Sequence, residues 1–305
     1  MDLVSSPSAL RRWSVASLVA NMALVVTGGL VRVTGSGLGC STWPQCEPGS
    51  YVPHPEAGGH ALVEFGNRLL TFVLIAIAIA TFIAAWRARD TDGRPRRDVR
   101  LLAFIAAIGI PAQAVIGGWS VLSNLNPWVV SLHLIASVAI IVVCVVLVHR
   151  CYGVTPAATP PLVGWLARAV FGLGMLVVLL GTAVTGAGPN SGDGGAERNG
   201  LSTELTARVH SISMWLMLAA LVSLLVLARR LPRVRRAGFG VAAVVVLQAV
   251  VGYTQYFLGN PPALVAVHMA GTALFTAAVT HLLLTARPTA AARVPGDHPS
   301  VTAAR

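Results

Sequence analysis

The chain has 305 residues, 55% of them hydrophobic and only 11% charged, with a mean hydropathy of +0.73. That balance excludes an ordinary soluble globular domain. The formal net charge is +11 and all 22 basic residues are Arg, but they sit in short loops between apolar runs, so the high pI does not point to nucleic acid.

Apolar runs of the roughly 20 residues needed to cross a hydrocarbon core occur at 13–33, 61–86, 100–121, 129–149, 163–185, 205–228, 237–258 and 264–286. They predict an all-α membrane protein with eight transmembrane helices. The first span follows Arg11 and Arg12 and lacks a small-residue cleavage site after it, so it reads as retained and not as a signal peptide. It ends in "VTGSG" (33–37), and a loop at 34–59 with two Cys and several Pro follows. The second span opens on "HALVEFGNRLL". The third and fourth carry "QAVIGGWSVLSNLNPWVVSLH" (113–133), and the fifth ends in "VTGAG" (184–188). The Gly-rich loop at 187–203 reads as mobile. The sixth span contains "ARVHS", and the seventh and eighth carry "QAVVGYTQYFLGNPPALVAVH" (248–268).

The third and fourth spans thus recur as the seventh and eighth at an offset of 135. Helices 1 to 4 and 5 to 8 read as two copies of one unit, and an even number of spans per copy predicts a pseudo-twofold axis along the membrane normal. The expected division is a cytoplasmic tail at 1–12, a four-helix bundle at 13–150, a cytoplasmic linker at 151–162, a second bundle at 163–286 and a disordered cytoplasmic tail at 287–305. With the N-terminus inside, only Arg32, Arg68, Arg198 and Arg208 of the 22 Arg fall outside or at the outer rim. The positive-inside rule therefore puts both termini in the cytoplasm and the protein in the plasma membrane.

His210 and His268 each lie five or six residues into helices entering from outside, so both imidazoles sit about 8–10 Å below the outer surface. Two inward His at one depth can hold one haem iron, although either alone also fits a helix-to-helix hydrogen bond. His133 is the repeat partner of His268, while the counterpart of His210 in the second span is Asn67. His60, Glu64 and Asn67 share one helical face, with Arg68 beside them. The spacing also fits an i,i+4 ion pair of Glu64 with Arg68, but a carboxylate this close to the bilayer core points to function. Arg208 lies at a similar level in the second half, and outer-rim Arg suit haem propionates. Gln113 and Gln248, deep in apolar helices, must find partners. Gly117, Gly118 and Gly252 let a macrocycle or a neighbouring helix approach. The repeat reads as one haem pocket written twice.

Cys40 and Cys46 bracket "STWPQ" in the first outer loop, an oxidising compartment where a disulfide persists. Zinc is a poor alternative, since two thiolates with only His54 nearby fall short of four ligands. Cys144 and Cys151 read as inert core residues. His54, His149, His281 and His298 read as structural or loop residues.

In order and at repeat spacing, "GGLVRVTGSGLGCSTWPQC", "EFGNR", "QAVIGG", "SLHLIAS", "ARVHS" and "VHMAGT" resemble the haem A synthase family in its actinobacterial style, over 13–286. The resemblance implies an oxidoreductase that converts haem O to haem A by oxidising a ring methyl to a formyl group, for haem–copper terminal oxidases. It implies haem b on His210 and His268, substrate haem O facing His133, and Glu64 as the essential acid. It agrees with a Cys40–Cys46 disulfide, and the family usually has His where this chain has Asn67. With Arg68, Arg208, Gln113 and Gln248, Asn67 is expected to line the haem sites. Implied partners are haem O synthase, terminal oxidase assembly factors, the lipid bilayer and an electron acceptor that the sequence does not name. Other readings are a dihaem electron-transfer protein of the cytochrome b kind and a haem transporter. The missing ligand and extra carboxylate in one half favour one resident and one exchangeable haem. The transporter lacks the broken midplane helices such carriers ordinarily use.

Overall fold

In the computed structural model, which describes residues 6–54 and 58–286, the chain forms eight helices: α1 (Pro7–Val33), α2 (Gly58–Arg87), α3 (Arg97–Leu122), α4 (Pro127–Cys151), α5 (Pro161–Ala187), α6 (Thr203–Leu227), α7 (Pro232–Phe257) and α8 (Pro262–Thr285). All are long and apolar enough to cross a membrane. In lipid each backbone group must be satisfied within its own segment, which is why these apolar runs are helical. The chain is a multi-pass integral membrane protein.

Helix starts are set by polar and Pro residues ahead of the apolar runs. Pro opens α1, α4, α5, α7 and α8, where its missing N–H costs nothing and its φ suits the helix. Ser6 caps α1 by accepting from the Ala9 N–H at 3.1 Å, and Asn126 caps α4 by accepting from the Trp128 N–H at 3.0 Å. As a result α1 takes in 7–12, a stretch expected as tail, while 287–305 lies outside the described residues. The linker at 151–162 is tied to the end of α8 by Ala157 N–H donating to the Thr285 carbonyl and by Thr159 Oγ1 donating to that of Ala286.

Within each half the helices close a ring: α1–α2–α3–α4–α1 and α5–α6–α7–α8–α5. Between halves, α1 packs on α8 and α4 on α5, two contacts that a twofold axis interchanges, while α4 packs on α8 at the axis itself. The largest core cluster belongs mostly to the second half, with Val170, Met217, Leu221, Leu224, Val241, Val279 and Leu282 fully buried. The first half is filled by several smaller clusters.

The α3–α4 and α7–α8 turns share a backbone form that their letters hide. Two consecutive residues are left-handed in each, Asn124 and Leu125 at φ 53° and 60°, and Gly259 and Asn260 at φ 76° and 62°. Leu125 N–H donates to the Ser120 carbonyl as Asn260 N–H donates to that of Gln255, again 135 residues apart. A leucine with this φ is strained. Its side chain is buried, packed so closely on Gly37 and Gly192 that a Cβ at Gly37 would come within 2.8 Å of it.

The 187–203 loop, expected to be mobile, is instead tied down. Arg32 donates to the Asn190 and Thr185 carbonyls at 2.8 and 3.1 Å, Gly37 N–H donates to that of Gly192 at 2.8 Å, and Asn199 Nδ2 donates to that of Ala183 at 2.8 Å. Arg32 thereby stitches the end of α1 to the other half.

Candidate functional site

The two Gln residues singled out by the repeat find equivalent partners. Gln113 Nε2 donates to the backbone carbonyl of His133 at 3.3 Å, and Gln248 Nε2 to that of His268 at 2.9 Å. Ser137 and Thr272, also 135 apart, send their hydroxyls to the same carbonyls. Gln113 bonds Ser137 as well. Such side-chain bonds average about 0.6 kcal/mol in a transmembrane bundle, and here they fix where each His leaves its helix. One turn along, a Cβ on Gly117 would lie 2.9 Å from His133 Cε1, and one on Gly252 3.1 Å from His268 Cε1. These glycines are flat seats for the imidazoles.

In the second half, α6 and α8 bring His210 and His268 opposite one another, with ring centroids 6.4 Å apart and ring planes at 69°. Two collinear metal–imidazole bonds of about 2 Å put centroids about 6.3 Å apart across one iron, so the pair is spaced for one haem. His210 Nδ1 lies 2.9 Å from the Val177 carbonyl. A proton there makes Nε2 the free, ligating nitrogen. His268 Nδ1 is buried without a partner. Both line a cavity of about 360 Å³ whose wall includes Gly181, Arg208, Gln248, Tyr253 and Met269. Arg208 lines the cavity and is paired to Glu204 on the exposed rim. Among the described residues no group of three or more His, Cys, Asp or Glu could hold a metal ion directly, and an iron held by porphyrin needs only the axial pair.

The first half is built differently. His133 faces α3 with Nδ1 buried and unpartnered, but Asn67, opposite in the repeat, accepts through Oδ1 from Thr27 Oγ1 at 2.7 Å. Glu64 is 5% exposed. Its Oε2 accepts from the Cys40 N–H at 2.6 Å, and its Oε1 from Arg68 Nη2 at 2.6 Å and Nε at 3.1 Å. Arg68 also donates to the carbonyls of Thr42 and Gln45 at 3.1 and 3.2 Å. The i,i+4 ion pair is therefore present, and both side chains grip the 34–54 loop. Arg68 was expected to line the haem site, but its donors are spent on Glu64 and that loop. Cys40 and Cys46 are disulfide-bonded and buried within the loop, and His60 Nδ1 sits 2.9 Å from Ser36 Oγ, which turns it toward the loop.

Two contacts were not foreseen. Trp43 lies flat against Gly118, where any Cβ would overlap its indole. His149 and His281 meet where α4 packs on α8, with Nε2 and Nδ1 at 2.8 Å. Cys144 is buried beside Ser17 and Asn21.

Proteins named "Heme A synthase" from Lysinibacillus sphaericus and Listeria welshimeri are 35% and 33% identical to this chain over 125 residues, covering 41% of it and 39% of each of them. One of that name from Exiguobacterium sp. is 33% identical over 118 residues, 37% of this chain and 36% of its own. The chain thus spans about two-fifths of the length of the curated relatives it matches. Residues 11–190, more than half of the chain, match a family described as cytochrome oxidase assembly protein, and the chain belongs to that family, COX15-CtaA.

Proposed function

We propose that the chain is a haem A synthase: a membrane oxidoreductase that oxidises the ring methyl of haem O to a formyl group. The observation that carries this is the unequal use of one frame. The Gln–carbonyl–His arrangement is built twice, but only the second half completes it with a facing imidazole, at 6.4 Å. A resident cofactor needs two strong ligands, while a substrate must leave. The name of the relatives, haem A synthase, supports the same reading.

In this reading His210 and His268 hold haem b, which supplies one-electron redox chemistry when bound. Arg208 at the cavity rim pairs with a propionate. His133, seated on Gly117, contacts the iron of substrate haem O, with Asn67 too weak a donor to make a second axial bond. The substituent passes from methyl to alcohol and from alcohol to hydrated aldehyde, each step taking up one water oxygen and giving two electrons and two protons to an external acceptor, and the hydrate then loses water to leave the formyl group. Glu64, held on Cys40 N–H and Arg68, places a carboxylate at that half's mouth, where it stabilises positive charge developing on the oxidised carbon. The orientation is that of the Arg count, with 34–59 and 187–203 external. The terminal oxidase is the final user of the product.

Purified protein is expected to show a reduced low-spin haem b spectrum that His210→Ala and His268→Ala each abolish. Full retention of that spectrum in both variants would remove the basis of the proposal.

A further inference from the structure

Besides the Asn67–His210 difference, the two candidate sites differ in the wall beside each imidazole seat. At the offset of 135, Gly117 matches Gly252, each the seat of an imidazole, but the next position is Gly118 in α3 and Tyr253 in α7. Tyr253 reaches across to α6, where its hydroxyl lies 2.8 Å from Ser211 Oγ and accepts from Trp215 Nε1 at 3.0 Å. It lines the second-half cavity. The His210–Asn67 correspondence puts Arg68 of α2 where Ser211 stands in α6. Arg68 holds the Thr42 and Gln45 carbonyls on either side of Trp43, and the Trp43 indole lies against bare Gly118. A side chain of the helix itself fills the second half. In the first half a side chain lent by the loop does so.

From this mismatch we infer that Trp43 is the removable wall of the first-half haem site, the counterpart of the fixed wall that Tyr253 makes in the second. The inference rests on the reading of the first half as the substrate site. A wall carried on a loop can withdraw to admit a planar macrocycle and return to press on it, whereas Tyr253 rises from a helix and is tied by its hydroxyl to Ser211 and Trp215 of α6. Three attachments hold Trp43 in register: the Cys40–Cys46 disulfide that brackets it, the Cys40 N–H on Glu64 and the Arg68 bonds. Glu64 and Arg68 therefore position the wall. Aromatic faces suit a porphyrin edge or plane, so Trp43 both covers and orients the substrate.

The test is haem loss from full-length protein loaded with iron protoporphyrin IX, followed by transfer to excess apomyoglobin, with the two sites resolved as separate phases. Trp43→Ala is expected to speed the first-half phase by on the order of tenfold and leave the second-half phase unchanged. Trp43→Phe should fall between, and Tyr253→Gly should speed only the second-half phase. An intact second-half spectrum in each Trp43 variant reports that the fold is kept. Equal first-half rates in wild type and Trp43→Ala would overturn the wall assignment. Wild type with a single haem, lost entirely in His210→Ala, would overturn the first-half site itself and the wall with it.

Discussion

Replacing Gly252 by Ala sets helix stability against haem ligation. In soluble helices Ala is preferred to Gly by about 1 kcal/mol, so propensity alone predicts a gain. The added Cβ, however, would lie 3.1 Å from Cε1 and 3.5 Å from Nδ1 of His268. An ordinary carbon contact starts near about 3.5 Å, so the ring must retreat from α7 by about 0.4 Å. It cannot take its backbone along, because Gln248 holds the His268 carbonyl. A metal bond tolerates only about 0.2 Å, so the axial bond weakens. Gly240, on the same helix, has open space at its Cβ position and makes the control. With haem removed, both variants are expected to melt no lower than the parent in detergent. Gly252→Ala should lose haem b affinity by about tenfold or more and show high-spin character, while Gly240→Ala keeps the parent spectrum. Unchanged haem content and spin state in Gly252→Ala would refute the assignment of His268 as a ligand seated on that glycine.

Glu64→Gln and Glu64→Ala should both abolish haem A formation, by about a hundredfold or more, with the second-half spectrum intact. Only Glu64→Ala should also loosen the 34–54 loop, seen as faster proteolysis, because it strips Cys40 N–H and Arg68 of their acceptor; normal haem A yield in both would end the catalytic assignment. Non-reduced protein should show Cys40 and Cys46 protected from alkylation by mass spectrometry, and two alkylated thiols would contradict the bond. Asn67→His should shift the first-half haem toward a tighter, low-spin, bis-His form with slower product release. If instead His60→Ala lost substrate-haem ligation and Asn67→His changed nothing, the wrong residue of that face would have been chosen.

Much of the frame was legible because it is periodic. Hydropathy located all eight helices, and the offset of 135 paired Gln113 with Gln248 and His133 with His268 before any packing was known. The facing of His210 and His268 followed from depth alone. What the Gln residues bond was not legible, since the carbonyl of a His twenty residues away is reached only once α3 and α4, or α7 and α8, pack in one register. The grip of Glu64 on Cys40 and the seat of Trp43 on Gly118 were hidden for a similar reason: a loop's path over a helix end leaves no period in the sequence. One signal was available, the Gly118 to Tyr253 mismatch directly after the matched glycines Gly117 and Gly252. Helix starts were misjudged at Pro7 because caps and Pro, not apolarity, set them. The 187–203 loop was misread because its composition suggests freedom while Arg32, distant in sequence, removes it.

The central claim, conversion of haem O to haem A, is met most directly by extracting haems from cells that make haem O, with and without this protein, and separating them by chromatography. The account predicts that haem A appears with the protein and that haem O accumulates without it. Haem O unchanged and no haem A in cells that contain the haem b-loaded protein would contradict it.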